Sequence, residues 1–246
     1  WLAALGFSDF AGSTLVHSTG GAAALAGAIL LGARTGRFDK SGAAKPMKPF
    51  AASSIPLVTV GVFILWLGWF GFNGGSQLAM GTFDDAVAVS NIFINTNLAA
   101  CGGVLAAAVM TRSLAGKTDV VQMLNGAIGG LVAITAEPLA PAPIAAIFIG
   151  AIGGIIVVFG TKLLFNFKID DVVGAVPAHL FAGIWGTLAV PLTNSDANFS
   201  AQLIGVLSIN AFVFVVAYIV WAIMKNTMGI RSVSYTHLRA HETSID

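Results

Sequence analysis

The chain has 246 residues, of which 57% are hydrophobic and only 9% charged, and its formal net charge is +1. Soluble domains carry about 25% charged residues, so this chain cannot clothe a water-facing surface, and a lipid bilayer is the expected solvent for much of it. The near-zero net charge argues against nucleic acid as a partner, and the single Cys101 excludes an internal disulfide and any cysteine-based metal cluster.

A spanning helix needs about 20 mainly apolar residues. Taken in chain order, seven segments meet or approach that length: Ala11–Ala33, Ile55–Gly74, Ala88–Met110, Val120–Thr135, Pro143–Leu164, Val172–Leu192 and Phe199–Met224. The fourth is the shortest, and its Gly126, Gly129 and Gly130 predict a tightly packed interior helix. Trp1 opens without the basic n-region of a secretory signal, so the chain is expected to begin inside a longer sequence.

Charge placement tests the span count independently. The connections after the first, third and fifth spans hold Arg34, Arg37, Lys40, Lys45, Lys48, Arg112, Lys117, Lys162 and Lys168, and Lys225 and Arg231 follow the seventh. Those after the second, fourth and sixth hold Asp84, Asp85, Glu137 and Asp196, with no Lys or Arg. Basic residues therefore alternate between sides. The positive-inside rule makes the basic side cytoplasmic, so the chain is expected to start outside and end inside.

After Arg231 the character changes. Val233–Thr243 (Val-Ser-Tyr-Thr-His-Leu-Arg-Ala-His-Glu-Thr) resembles one reading frame of a sequencing adapter. Residues 1–231 are expected to form the membrane domain, and 232–246, with His237 and His241, a non-native tail outside the functional argument.

Two histidines remain, both in apolar spans: His17 and His179. Each follows an Asp by eight residues, with a Gly three after the Asp: Asp9, Gly12, His17 and Asp171, Gly174, His179. Asp9 lies at the outer end of the first span and Asp171 at the inner end of the sixth. Eight helical residues rise about 12 Å, which would bring both rings near the centre of a core about 30 Å thick. An inverted-topology repeat predicts that arrangement, with its site at the repeat interface. The alternative is a packed histidine bonded to neighbouring backbone. An apolar interior disfavours imidazolium, so both rings are expected neutral, each with one donor and one acceptor. A metal site would need a third ligand, and no Asp, Glu or Cys lies at that depth in a plausible partner span.

Three segments carry a family resemblance. Asp9-Phe-Ala-Gly-Ser-Thr-Leu-Val-His17, Gly68-Trp-Phe-Gly-Phe-Asn-Gly-Gly-Ser76, and Asp170-Asp171 through His179 to Gly183-Ile-Trp-Gly186 resemble motifs of the ammonium transporter (Amt/Mep/Rh) family, Amt branch. Asn95-Thr96 and the stretch Asn125–Thr135 are similar as well. The match covers residues 1 to about 231. It implies an all-α multi-pass membrane protein: about seven transmembrane helices of an eleven-helix fold with inverted repeats, the first four helices lying upstream of Trp1. It also implies a homotrimer with one pore per subunit in the plasma (cell inner) membrane, a transporter rather than an enzyme, and neither cofactor nor metal.

The resemblance also assigns roles. His17 and His179 resemble twin pore histidines, and Phe72 resembles the inner of two stacked gate phenylalanines, against an ordinary core or lipid-facing Phe. Ser76 resembles a hydroxyl that bonds the substrate cation in an outer vestibule, with helix packing as the alternative. Trp69 resembles a pore-lining aromatic, or packs; Thr135 is a further pore-lining candidate. Asp9 and Asp171 read as helix-capping acids, since a helix N-terminus favours an anion, and Asn73 as a supporting residue. The basic stretch Arg34–Lys48 suits either a cytoplasmic PII-type regulator or plain topology signalling. The implied substrate is ammonium/ammonia; the alternatives are an Rh-type gas channel and an ammonium sensor on the same fold.

Overall fold

The computed structural model describes residues 1–38 and 51–231 of the chain. Lys40, Lys45, Lys48 and all of 232–246 lie outside the described residues. Every regular element among the described residues is helical.

A 3-10 turn, Ala3–Leu5, leads to a π-helical turn, Ser13–Ser18, which continues into α1, Thr19–Leu31. Then come α2 (Ile55–Gly75), α3 (Phe83–Ala115), α4 (Val120–Ile134) and α5 (Pro143–Asn166). A second π-helical turn, Val176–Phe181, opens α6 (Ala182–Ala189), which ends in a 3-10 turn, Val190–Leu192; α7 is Phe199–Thr227. Among the described residues five helices are long and apolar enough to cross a membrane, starting with Ser13–Leu31, and Val120–Ile134 and Val176–Leu192 are shorter. All seven expected elements are present, and the protein is an all-α, multi-pass membrane protein.

Three of the seven starts differ from expectation. The third helix runs 33 residues, Phe83–Ala115, not Ala88–Met110. The Thr82–Asp85 capping box starts it early, and a polar first turn is invisible to a search for apolar residues. The first span starts at Ser13 and the sixth at Val176, later than Ala11 and Val172. In both cases a glycine with positive φ precedes the turn: Gly12 at 109° and Gly174 at 77°.

The core is the α3–α4–α5 layer. α4 spans only 15 residues, and its whole run Gly126–Ile134 is buried, as its glycines predict. Glycines permit the contact: a Cβ on Gly103 would collide with the Gly126 carbonyl, and one on Gly150 with the Ala99 backbone. In lipid, packing of this kind is what holds helices together, because tails are as apolar as side chains.

Two polar seams mark the ends. At one, Arg34 meets Asp170, Lys225 Nζ donates to Leu30 O at 2.7 Å and Arg231 Nη1 to Leu31 O at 3.0 Å. Cations at the C-terminus of α1 satisfy carbonyls that have no helical partner. At the other, Asn194 Nδ2 donates to Glu137 Oε2 at 2.7 Å, and Phe10 N to Ala136 O at 2.8 Å. The connections after the first, fifth and seventh spans thus share one end, and those after the fourth and sixth share the opposite one. The charge alternation requires this placement.

Candidate functional site

Both histidines sit on the π-helical turns. Asp9 accepts the backbone N–H groups of Ser13 at 2.7 Å, Thr14 at 3.0 Å and Leu15 at 2.8 Å. Asp171 accepts those of Gly174 at 3.0 Å, Ala175 at 3.0 Å and Val176 at 2.8 Å. A helix start leaves its first N–H groups without partners, and each carboxylate satisfies three of them. The segment from Asp to His is therefore not the eight-residue helix assumed from spacing. Left-handed Gly12 and Gly174 fold the chain back so that the Asp caps the turn. A π-turn then adds a residue to the ring of hydrogen bonds, a feature frequent at functional sites.

The two turns bring the rings together. His179 Nδ1 lies 3.3 Å from His17 Nδ1, and the ring centroids are 5.3 Å apart. One nitrogen must donate and the other accept, and the tautomers are a matter of assignment. His17 Nε2 is buried with no hydrogen-bond partner among the described residues. His17 stacks on Trp69, centroids 4.7 Å apart and planes 17° apart, and meets Phe72 at 5.4 Å. Among the described residues no cluster of three or more His, Cys, Asp or Glu could hold a metal ion.

The remaining residues singled out from the sequence fall into two groups. Trp69, Asn73 and Thr135 form a buried chain. Trp69 Nε1 donates to Thr135 Oγ1 at 2.9 Å, Thr135 Oγ1 lies 3.3 Å from Asn73 Oδ1, and Asn73 Nδ2 donates to Thr96 Oγ1 at 3.0 Å. Thr135 has no exposed surface and lies behind Trp69. Phe72 is 38% exposed, beside His17. Ser76 is farther along, at the C-cap of α2, where its hydroxyl donates to Phe72 O at 2.8 Å.

Sequence reasoning missed the polar stitches that hold the first π-turn. Ser13 Oγ donates to Val132 O, Thr14 pairs with Thr187 and Ser18 Oγ donates to Asn210 Oδ1, each at 2.6 Å. Gln202, fully buried, exchanges bonds with Ser8 N and O and donates to Thr187 O. Gln202 and Asn210 are polar residues inside an apolar span, and that anomaly was the signal available. Asn125, quoted only as part of a motif, donates to Val173 O at 2.9 Å and so braces the second turn.

The basic end carries the clearest electrostatics. Arg34 grips Asp170 through Nε at 2.7 Å, Nη2 at 2.9 Å and its backbone N at 3.0 Å, and Arg37 Nε lies 3.5 Å away on the other oxygen. The hydrogen bond from Arg34 holds the Asp170 carboxyl below the usual carboxylate range. Arg37 is buried and lies over the Phe165 ring at 4.3 Å.

Comparison with known proteins agrees with this architecture. The profile of the Ammonium Transporter Family matches residues 1–245. A Synechocystis sp. protein named as a candidate ammonium transporter is 43% identical over 228 residues, covering 91% of this chain and 51% of that relative. Ammonium transporter Amt2 of Archaeoglobus fulgidus is 37% identical over 246 residues, covering 92% and 51%. Among solved structures, a sensor Amt protein aligns with a TM-score of 0.87 at 32% identity, covering 95% of this chain and 58% of that one. Candida albicans Mep2 aligns with a TM-score of 0.83 at 29% identity, covering 95% and 54%. The chain spans about half the length of the curated relatives it matches. With a family match over nearly its whole length, the chain belongs to the ammonium transporter family.

Proposed function

We propose that this chain supplies the histidine-bearing part of a membrane pathway for ammonium or ammonia. The observation that carries the reading is the 3.3 Å contact between the Nδ1 atoms of His17 and His179, made by two Asp-capped π-turns inside apolar spans. A bare ammonium ion there would lack compensation for its desolvation, which costs several kcal/mol or more even after relaxation. Neutral ammonia pays far less. The pathway therefore captures the cation outside, where its proton is given up to water, and passes ammonia along the histidine pair. Phe72, beside His17, suits a gate over the pair, and Ser76 an outer contact for the cation.

The pair has a defined polarity. The donor ring carries its hydrogen on Nδ1 and so offers a lone pair at Nε2; the acceptor ring carries its hydrogen on Nε2. A hydrogen can cross from one Nδ1 to the other without charging the rings only if the two Nε2 atoms exchange hydrogens with guests in concert. Buried and without a partner among the described residues, His17 Nε2 is the atom positioned to meet such a guest.

The same reading places the complete protein in the cell membrane as a homotrimer with its basic end cytoplasmic, where a PII-type regulator would meet the Arg34 side. Its test is methylammonium uptake by cells lacking their own transporters, with the full-length gene product beside His17→Ala. The expected result is a loss of uptake of about a hundredfold or more; unchanged uptake overturns the assignment. A second reading, an ammonium sensor, has behind it the alignment with a sensor Amt protein. Tight ammonium binding without uptake by the wild type would select it.

A further inference from the structure

His17 is oriented by rings, not by a net of hydrogen bonds. Its Nε2 has no partner among the described residues, and Nδ1 meets only the equally rotatable ring of His179. The near-parallel indole of Trp69, 4.7 Å away, is therefore the surface that fixes the imidazole plane. The indole can rotate in turn, unless its N–H is held.

Thr135 holds it. Its hydroxyl accepts from Trp69 Nε1 at 2.9 Å and donates to Leu131 O, one turn back on α4, at 2.7 Å. The single hydroxyl hydrogen has two acceptors, that carbonyl and Asn73 Oδ1 at 3.3 Å, and with either one a lone pair of the oxygen is left for the indole N–H. The backbone of the same residue holds the other side of the site: Thr135 O accepts from Ala11 N at 3.0 Å, and Gly12 and the first π-turn follow at once. One residue thus sets both the start of the turn that carries His17 and the plane of the ring stacked on it.

We propose that Thr135 is a positioning residue for the histidine pair, acting through Trp69, and does not touch the substrate. The claim rests on the transport reading above. A hydroxyl at this position is needed for the rate at which ammonia passes the pair, and not for capture of the cation outside.

The test is methylammonium uptake by the full-length gene product, normalised to protein in the membrane, for wild type, Thr135→Val, Thr135→Ser, Trp69→Phe and the double variant Trp69→Phe/Thr135→Val. His17→Ala is the control: if it transports like wild type, the transport reading fails, whatever Thr135 does. With that control inactive, Thr135→Val is expected to lower the maximal rate per molecule about tenfold while the half-saturating concentration stays within about twofold. Thr135→Ser restores the rate, and in the Trp69→Phe background the valine costs less than about twofold, because phenylalanine has no N–H to hold. A wild-type rate in Thr135→Val overturns the proposal, and so does an equal loss in both backgrounds. Should Thr135→Val fail to reach the membrane, the double variant decides: recovered abundance identifies the indole bond as the cause, and continued failure overturns it.

Discussion

The two histidine-bearing turns solve the same local problem and are fastened in different ways. Each has an Asp, a left-handed glycine three residues on, and a six-residue π-turn, with the Asp accepting three backbone N–H groups at or just ahead of the start of the turn. The first is stitched by hydroxyls: Ser13, Thr14 and Ser18 reach Val132, Thr187 and Asn210. The second has no such side chains. Val176 and Leu180 pack against Ala22 and Leu164, and the chain just ahead is braced by Asn125 and by Arg34 on Asp170. Asp-x2-Gly therefore encodes the bend and the cap, while neighbouring helices determine how the turn is held. A helix start needs only satisfied N–H groups, and its outward face is free to be polar or apolar.

The comparison can be broken most forcefully at the glycines. At Gly12 the φ is 109°, at the far edge of the left-handed region, and a Cβ would sit 2.5 Å from Cγ2 of Val16, a branched side chain of the same turn. Gly12→Ala is expected to cost about 3 kcal/mol. At Gly174 the φ is 77° and the obstructing atom is the Asn125 amide, which can swing away, so Gly174→Ala is expected to cost about 2 kcal/mol. Thermal unfolding of the two variants in detergent gives the ranking; a larger loss at Gly174 would show that the second turn is the stiffer one.

Next in size is the clamp unique to the second turn. Asp170 is nearly fully buried, whereas Arg34 is one-third exposed, so Asp170→Asn should cost about 2 kcal/mol, below the range for a fully buried pair. Its pH dependence has a fixed sign. The folded carboxyl is held below its unfolded value near 4, so the contribution is complete above about pH 4 and disappears as pH falls through the depressed value. Unfolding midpoints of wild type and Asp170→Asn should therefore differ at pH 7 and converge toward pH 3. A gap that persists in acid refutes the ion pair as its source.

The smallest effect is expected at Asp171. Asp171→Ala removes one cap, worth about 1 kcal/mol, and Asp171→Asn should recover part of it, since an amide oxygen still accepts. Chemical denaturation of the three proteins measures it; identical stabilities would mean that water caps the turn as well as the carboxylate does.

Much of this architecture was legible in the sequence because its signals are one-dimensional. Apolar runs marked all seven elements, charge alternation set which ends lie together, and the glycines of α4 marked the buried helix. The helix starts were not legible, because a carboxylate reaching back over a left-handed glycine leaves no hydropathy signal; the depth of His17 was inferred from a helix that is not there. That two histidines 162 residues apart meet at Nδ1 follows from the repeat only in outline. Tertiary structure alone decided which groups hold them. Trp69, Thr135 and Asn73 lie on helices that touch only after α4 is enclosed, and a hydrogen bond of 2.9 Å depends on packing that no spacing along the chain encodes. The sequence by itself determined a lipid-solvated helical protein with two Asp-Gly-His units. The fold decided that the units face each other and which side chains fix their rings, because ring orientation is set by contacts between helices and not within one.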